Sequence, residues 1–329
     1  MTKLIVIVGV TGNQGASVAD VFVKEAGWKV RGITRDPTKA SSKALVERGI
    51  EVVKGDLNDK ESLVEAFKGA NVVYGVTDFW ALFSNPATKE ALKPGEVLNK
   101  RAYDEEFQQG KNIVDAVSTI ADSSLDLFVW SSLSNTKKWS KGKYQWVYHF
   151  DGKAAVVDYI QTFPQLAKKT SILQVGYYAT NSLLPASTPM KAADGVYEVS
   201  NIGSGDEPFP VVNTRRDCGT FVKALVNSPP GKTLLGWGSI TTWNEWTKLW
   251  SEHCGVPARY VSRSVEFFDQ IMPGGLGIEL GEMYAYTAEF GYDGNDPSVI
   301  HPKDVGIQDG ELQSIEDFIK TTDWSVALK

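Results

Sequence analysis

The opening fifteen residues constrain this chain more than any other stretch. Leu4-Ile5-Val6-Ile7-Val8 is a short all-apolar run, the kind that a parallel strand covered on both faces requires. It leads directly into Gly9-Val10-Thr11-Gly12-Asn13-Gln14-Gly15. A helical pattern follows, with Val18, Val21, Phe22 and Val23 as its apolar face and Gly27 as its stop. Strand, glycine turn and helix in that order bring free backbone N–H groups and the positive end of a helix to one point, where diphosphate oxygens can accept. Gly9, Thr11, Gly12, Asn13, Gln14 and Gly15 are therefore the first candidates for binding a dinucleotide.

The next strand, Trp28 to Thr34, refines that expectation. A site built for NAD puts an acid at the end of this strand to accept from the ribose 2′-hydroxyl. Here the strand ends in Thr34-Arg35, and Lys39, Ser41 and Ser42 follow. The planar donor fork of Arg35 suits a 2′-phosphate, with Lys39 as a second cation, so NADP(H) is the favoured cofactor. Asp36 leaves NAD open. The alternative for Arg35 and Lys39 is a solvated start to the following helix.

Taken in order, the chain continues the same alternation. Pro37 can begin a helix that runs to Gly49, and Ile50 to Gly55 reads as the third strand. The turn Gly55-Asp56-Leu57-Asn58-Asp59 comes next. Asp56 and Leu57 stand where adenine would lie, although a carboxylate here serves equally well as a helix cap. Ala70 to Thr77 is the fourth strand, followed by Asp78-Phe79-Trp80. Thr77 and Phe79 thus fall where the strand order of a doubly wound sheet reverses and the nicotinamide ribose would emerge; a small aromatic cluster of the loop itself is the alternative. Residues 85–97 read as loop, Leu98 to Ile120 as a helix and Leu125 to Ser132 as the fifth strand. Ser131 sits at that strand's end, either beside the reactive end of a cofactor or in the commoner role of turn and cap.

Other function classes are disfavoured. The net charge of −6 and the lack of a dense Lys/Arg run argue against direct nucleic-acid binding. The opening apolar run is too short to cross a bilayer, and no signal-like segment precedes it, so the mature chain is expected to start near Met1. Cys218 and Cys254 suggest neither a disulfide framework nor a zinc site, and no metal is expected. A reducing cytoplasm fits, with the nucleus open as a second compartment. His253 and His301 receive no role.

Tyr144 to Lys153, written Tyr-Gln-Trp-Val-Tyr-His-Phe-Asp-Gly-Lys, carries the most chemistry. Short-chain dehydrogenases of the ordinary type place a tyrosine four residues ahead of a lysine on one helix face. That position is His149 here, and Tyr148 faces about 100° away if the segment is helical. Together with the glycine turn, Val30 to Pro37, Val53 to Asp56, Val76 to Trp80, Gln109-Gly110-Lys111 and His149-Phe150-Asp151-Gly152-Lys153, it gives a chain that resembles the NmrA-like group of atypical short-chain dehydrogenases over most of its first 180 residues. The resemblance implies NADP(H) on a Rossmann core, with Lys153 at the nicotinamide ribose and Tyr177 near the ring.

The sixth strand is Ser171 to Gly176, after which regular alternation fades. The expected fold is α/β: a doubly wound parallel sheet in 3-2-1-4-5-6 order over residues 1–176, with a smaller mixed lobe formed mainly by residues 177–329 whose segments can interleave with the core. That lobe shows Phe209 to Val212, a helix from about Asp217 to Val226, and Trp243, Trp246 and Trp250 on one helix face, a spacing typical of core. Met272 to Gly277 reads as a plain loop or a mobile lid. Two functions survive. One is an NADPH-dependent reductase of a small organic substrate, for which the ten tryptophans suggest a flat molecule, with the proton from His149, Tyr148, Tyr177 or water. The other is a non-catalytic NADP(H) sensor acting through protein partners, which the missing tyrosine favours. A homo-oligomer is open in either case.

Overall fold

The computed structural model describes residues 2–184 and 187–328; Met1, the expected start of the mature chain, lies outside them. Six strands form in the expected places: β1 (Lys3–Ile7), β2 (Trp28–Thr34), β3 (Glu51–Lys54), β4 (Val72–Gly75), β5 (Leu127–Ser132) and β6 (Thr170–Val175). They lie in the order 3-2-1-4-5-6 and pair in parallel, with Ile5 opposite both Val30 and Val72. The sheet does not stop at β6. Thr233–Gly236 pairs beside it, and Val299–Ile300 closes the edge, so eight parallel strands make one sheet.

The apolar opening run is explained by what covers it. Ile5 and Ile7 face one layer with Phe22, Tyr74 and Phe221, while Val6 and Val8 face the other with Phe67, Ile113 and Val156. From Ile5 to Val8 every residue is buried on one face or the other, which rules out polar alternation there. On the first face the helix Asn13–Phe22 crosses the helix Thr214–Val226 in close contact. A side chain at Gly219 would bring its Cβ within 2.3 Å of the Ser17 carbonyl oxygen, and Ser17 Oγ both accepts from Gly219 N (2.9 Å) and donates to Arg216 O (3.1 Å).

Beyond β6 the chain builds two three-stranded sheets and a second core. Tyr177–Tyr178 pairs with Phe209–Val212, which pairs with Ser239–Thr241. The helix Trp243–Cys254 buries its tryptophan face: Trp246 and Trp250 stack at 6.3 Å, and Trp324 meets them edge-on at 5.9 and 6.1 Å. Burying each of these large rings stabilises the lobe by about 2 to 3 kcal/mol. Trp243 lies against Phe209 at 4.5 Å.

Local capping corrects two boundaries. The stretch expected to be loop contains the helix Pro86–Glu90, because Asn85 accepts from Ala87 N and Pro86 occupies the first turn. Phe79 and Trp80 open a short helix, Phe79–Phe83, that Asp78 caps by accepting from Ala81 N at 3.1 Å. Among the described residues no helix is long and apolar enough to cross a membrane, and no cluster of His, Cys, Asp and Glu could hold a metal ion.

Candidate functional site

Each glycine of the first turn answers a different requirement. Gly9 has φ +66°, where a side chain is strained. A Cβ at Gly15 would lie 2.2 Å from the Gly9 carbonyl oxygen, so the helix can start this close only without one. Gly12 is different: its backbone is extended, it donates to Gly9 O at 2.9 Å, and an added Cβ would meet only that oxygen at an ordinary 3.4 Å. Nothing in the protein itself demands glycine at 12, whereas a diphosphate approaching the backbone does. Thr11, Gly12 and Asn13 are exposed. Gln14 instead turns inward, donating to Tyr178 Oη (2.6 Å) and accepting from Ser131 Oγ (2.8 Å) and Tyr74 Oη. The Ser131 hydroxyl is therefore spent beneath the turn.

At the ends of β2 and β3, Arg35 and Lys39 are exposed and make no ion pair or side-chain hydrogen bond among the described residues. Asp36 is occupied: the Thr38 hydroxyl (2.6 Å) and backbone N–H (2.9 Å) donate to its carboxylate and hold its pKa below the usual range. The helix Lys60–Phe67 is capped by Asp59, which accepts from Ser62 N at 3.2 Å, so capping does not account for Asp56. Asp56 accepts from Asn58 N (2.9 Å). Asn112 and Gln109, on the helix Leu98–Ser118, tie this turn down through Leu57 O (2.7 Å) and Asn58 Oδ1 (3.2 Å).

The reactive end gathers around the helix Tyr148–Gln161, where His149 and Lys153 stand one turn apart on one face. Both are buried. Lys153 Nζ forms an ion pair with the fully buried Glu106 and donates to Thr77 O at 3.1 Å, while Thr77 Oγ1 donates to Glu106 at 2.9 Å. His149 Nδ1 lies 2.6 Å from Oε1 of Glu279, a buried residue of the helix Leu276–Phe290, and the same oxygen accepts from His149 N at 2.8 Å. The Phe79 and Trp80 rings cover the imidazole, at centroid distances of 5.9 and 4.8 Å. His149 Nε2 makes no hydrogen bond among the described residues.

Thr77, Phe79, His149 and Lys153 thus come together, but the two candidate tyrosines do not join them. Tyr148 turns outward, edge-on to Tyr103 (5.8 Å) and under the Lys137 ammonium (5.0 Å), and partial burial raises its pKa. Tyr177 is buried among Phe209, Trp243 and Tyr284, where burial and the Tyr284 hydroxyl push its phenol well above its ordinary value. It borders a small cavity of about 20 Å³ that also touches Met283, Tyr284 and Tyr292. Glu106 and Glu279 match no motif. For Glu279 the available signal is an acid inside the apolar stretch Leu276-Gly277-Ile278-Glu279-Leu280-Gly281; Glu106 ends an Asp-Glu-Glu run and shares its buried face with Asn99 and Gln109, so nothing local marks it.

With this geometry in place, comparison with known proteins is informative. A model of the NmrA-like family matches residues 1–324. The NmrA-like family domain-containing oxidoreductase FrzB of a Cladobotryum species is 28% identical over 287 residues, covering 82% of this chain and 79% of FrzB. Among solved structures, NmrA, a negative transcriptional regulator in complex with NADP, superposes with a TM-score of 0.70 at 18% identity over 98% of this chain and 95% of its own; it has also been solved with NAD. The leucoanthocyanidin reductase–NADPH complex from Vitis vinifera gives 0.69 at 15% identity over 96% and 98%. At these identities the two structures speak to the fold.

Proposed function

The chain belongs to the NmrA-like family, and from that premise we propose that it is an NADPH-dependent oxidoreductase of the atypical short-chain type, acting on a small organic substrate received mainly by residues 177–329. The observation that carries this reading is His149: one ring nitrogen is held by a buried carboxylate and the other makes no hydrogen bond among the described residues, one helical turn from Lys153. The name of its relative FrzB, an oxidoreductase, is consistent with it.

When bound, NADPH supplies the hydride. This chain supplies the rest. The turn from Gly9 to Gly15 offers backbone N–H groups and the start of a ten-residue helix to the diphosphate. Arg35 and Lys39, which make no ion pair or side-chain hydrogen bond among the described residues, would take the 2′-phosphate, and the occupied Asp36 is poorly placed to accept from a 2′-hydroxyl. Asp56 and Leu57 would border the adenine, and Thr77 and Phe79 would flank the nicotinamide ribose, whereas Ser131 is engaged by Gln14 and Tyr177 stands off in the aromatic lobe. Lys153, its charge matched by Glu106, keeps donor capacity for the ribose. His149 Nε2 delivers the proton to the substrate atom that gains charge as its neighbouring carbon accepts hydride. Tyr148 and Tyr177, turned away and raised in pKa, are poorer donors.

His149→Phe tests this directly. Turnover should fall about a hundredfold or more while the Kd for NADPH stays within about twofold, as measured by stopped-flow and calorimetry. Unchanged turnover would assign the proton to water. The absence of a tyrosine at position 149 favours a second reading, a non-catalytic NADP(H) sensor. That reading forecasts no NADPH consumption across a panel of carbonyls, imines and enones, with an assembly state on size exclusion that differs between NADPH and NADP⁺.

A further inference from the structure

The chemistry of a histidine depends on which ring nitrogen is free, and here the choice is made by a residue from far along the chain. Glu279 is fully buried. Its Oε1 serves both the backbone N–H of His149 (2.8 Å) and Nδ1 (2.6 Å), while its Oε2 accepts from Asn99 Nδ2 at 2.7 Å. Asn99 also donates to the Gly275 carbonyl at 3.0 Å. Gly275, at φ +95°, is where the chain turns into the helix bearing Glu279, and a Cβ there would come within 2.0 Å of Asn99 Oδ1. The approach of Asn99 therefore requires the glycine.

An ionised carboxylate only accepts, so the hydrogen between Glu279 and the ring belongs to Nδ1. We propose that Glu279 is a positioning residue for His149: it keeps the hydrogen on Nδ1 and leaves Nε2 as the nitrogen that exchanges a proton with a ligand, and Asn99 holds the carboxylate in place. The kinetic part of this inference rests on the reductase reading; the tautomer does not. In the reduction the substrate carbon gains hydride, the adjoining heteroatom gains the proton from Nε2–H of the imidazolium, and the ring is left neutral with Nδ1–H intact. Solvent restores the Nε2 proton. The helix Leu276–Phe290 thereby becomes part of the proton-transfer apparatus.

The tautomer can be measured without altering Glu279. In ¹⁵N–¹H correlation spectra of the intact protein, the chain's three histidines are distinguished by the loss of one pattern in His149→Phe. The expected result is Nδ1–H in every protonation state, with Nε2 bare in the neutral ring and protonated in the imidazolium; a neutral ring protonated at Nε2 alone overturns the proposal. Glu279→Gln supplies a second readout, since it keeps an acceptor oxygen but removes the charge. Its turnover should fall about tenfold or more with KM and NADPH affinity near the original values. Turnover equal to that of the original protein overturns the positioning role. If no substrate is consumed at all while Nδ1–H is observed, the reductase reading fails and the positioning of His149 by Glu279 stands. Should Glu279→Gln not fold, the spectrum of the unaltered chain decides.

Discussion

The two ends of the proposed cofactor site are built on opposite principles. At the glycine turn and the end of β2, the groups that would meet a ligand are backbone N–H groups and the side chains of Arg35 and Lys39, which make no ion pair or side-chain hydrogen bond among the described residues. At the other end every ionisable side chain is already engaged: Lys153 with Glu106 and Thr77, His149 with Glu279, Glu279 with Asn99. The first end recognises by leaving donors free on a rigid turn. The second orients by paired burial, where removing one partner strands the other in a medium of low dielectric. Substitutions at the open end should therefore affect binding and spare the fold, while substitutions at the closed end should reach stability as well.

The largest expected effect is at the open end. Gly12→Val puts a branched side chain on the surface that a diphosphate must approach, in a backbone conformation that valine adopts readily. Affinity for NADPH should drop by about a thousandfold or more, roughly 4 kcal/mol, with circular dichroism and melting temperature retained. Unaltered NADPH affinity in calorimetry would remove the turn from the diphosphate site.

At the closed end, Lys153→Met leaves Glu106 buried without its cation. The fold should lose about 3 kcal/mol or more by chemical denaturation, and pairing the change with Glu106→Gln should recover most of that loss. A single Lys153→Met as stable as the original would mean that the buried pair contributes nothing to holding this end together.

The smallest effect sharpens the open end. Arg35→Ala should weaken NADPH by about 1.5 to 3 kcal/mol and leave NADH nearly unchanged, because only one of the two carries the 2′-phosphate. Equal losses for both cofactors would make Arg35 a support of its loop.

These two ends were unequally legible in the sequence. The sheet, its order and the glycine turn are written in contiguous residues: an apolar strand, a turn and a helix face recur within a few dozen positions, and each can be recognised alone. His149 and Lys153 are legible for the same reason, being four apart on one helix. Glu106 and Glu279 are not, because their partners lie 47 and 130 residues away in sequence, and Asn99 meets Glu279 across 180. An acid inside an apolar stretch signals that some partner exists without saying which. The inward turn of Gln14 escapes notice likewise, since Tyr74, Ser131 and Tyr178 come from three other parts of the chain.

The late strands of the main sheet have a consequence for biosynthesis. β6 pairs on its outer side with Thr233–Gly236, which leaves the ribosome well after β6 and follows four strands of the two smaller sheets. Until it arrives, a nascent chain carrying six completed strands presents a parallel edge of unpaired N–H and C=O groups, open to strands of neighbouring chains. This edge is complete only once residues 233–236 and 299–300 have been made, so the sheet's closure is tied to the later part of synthesis.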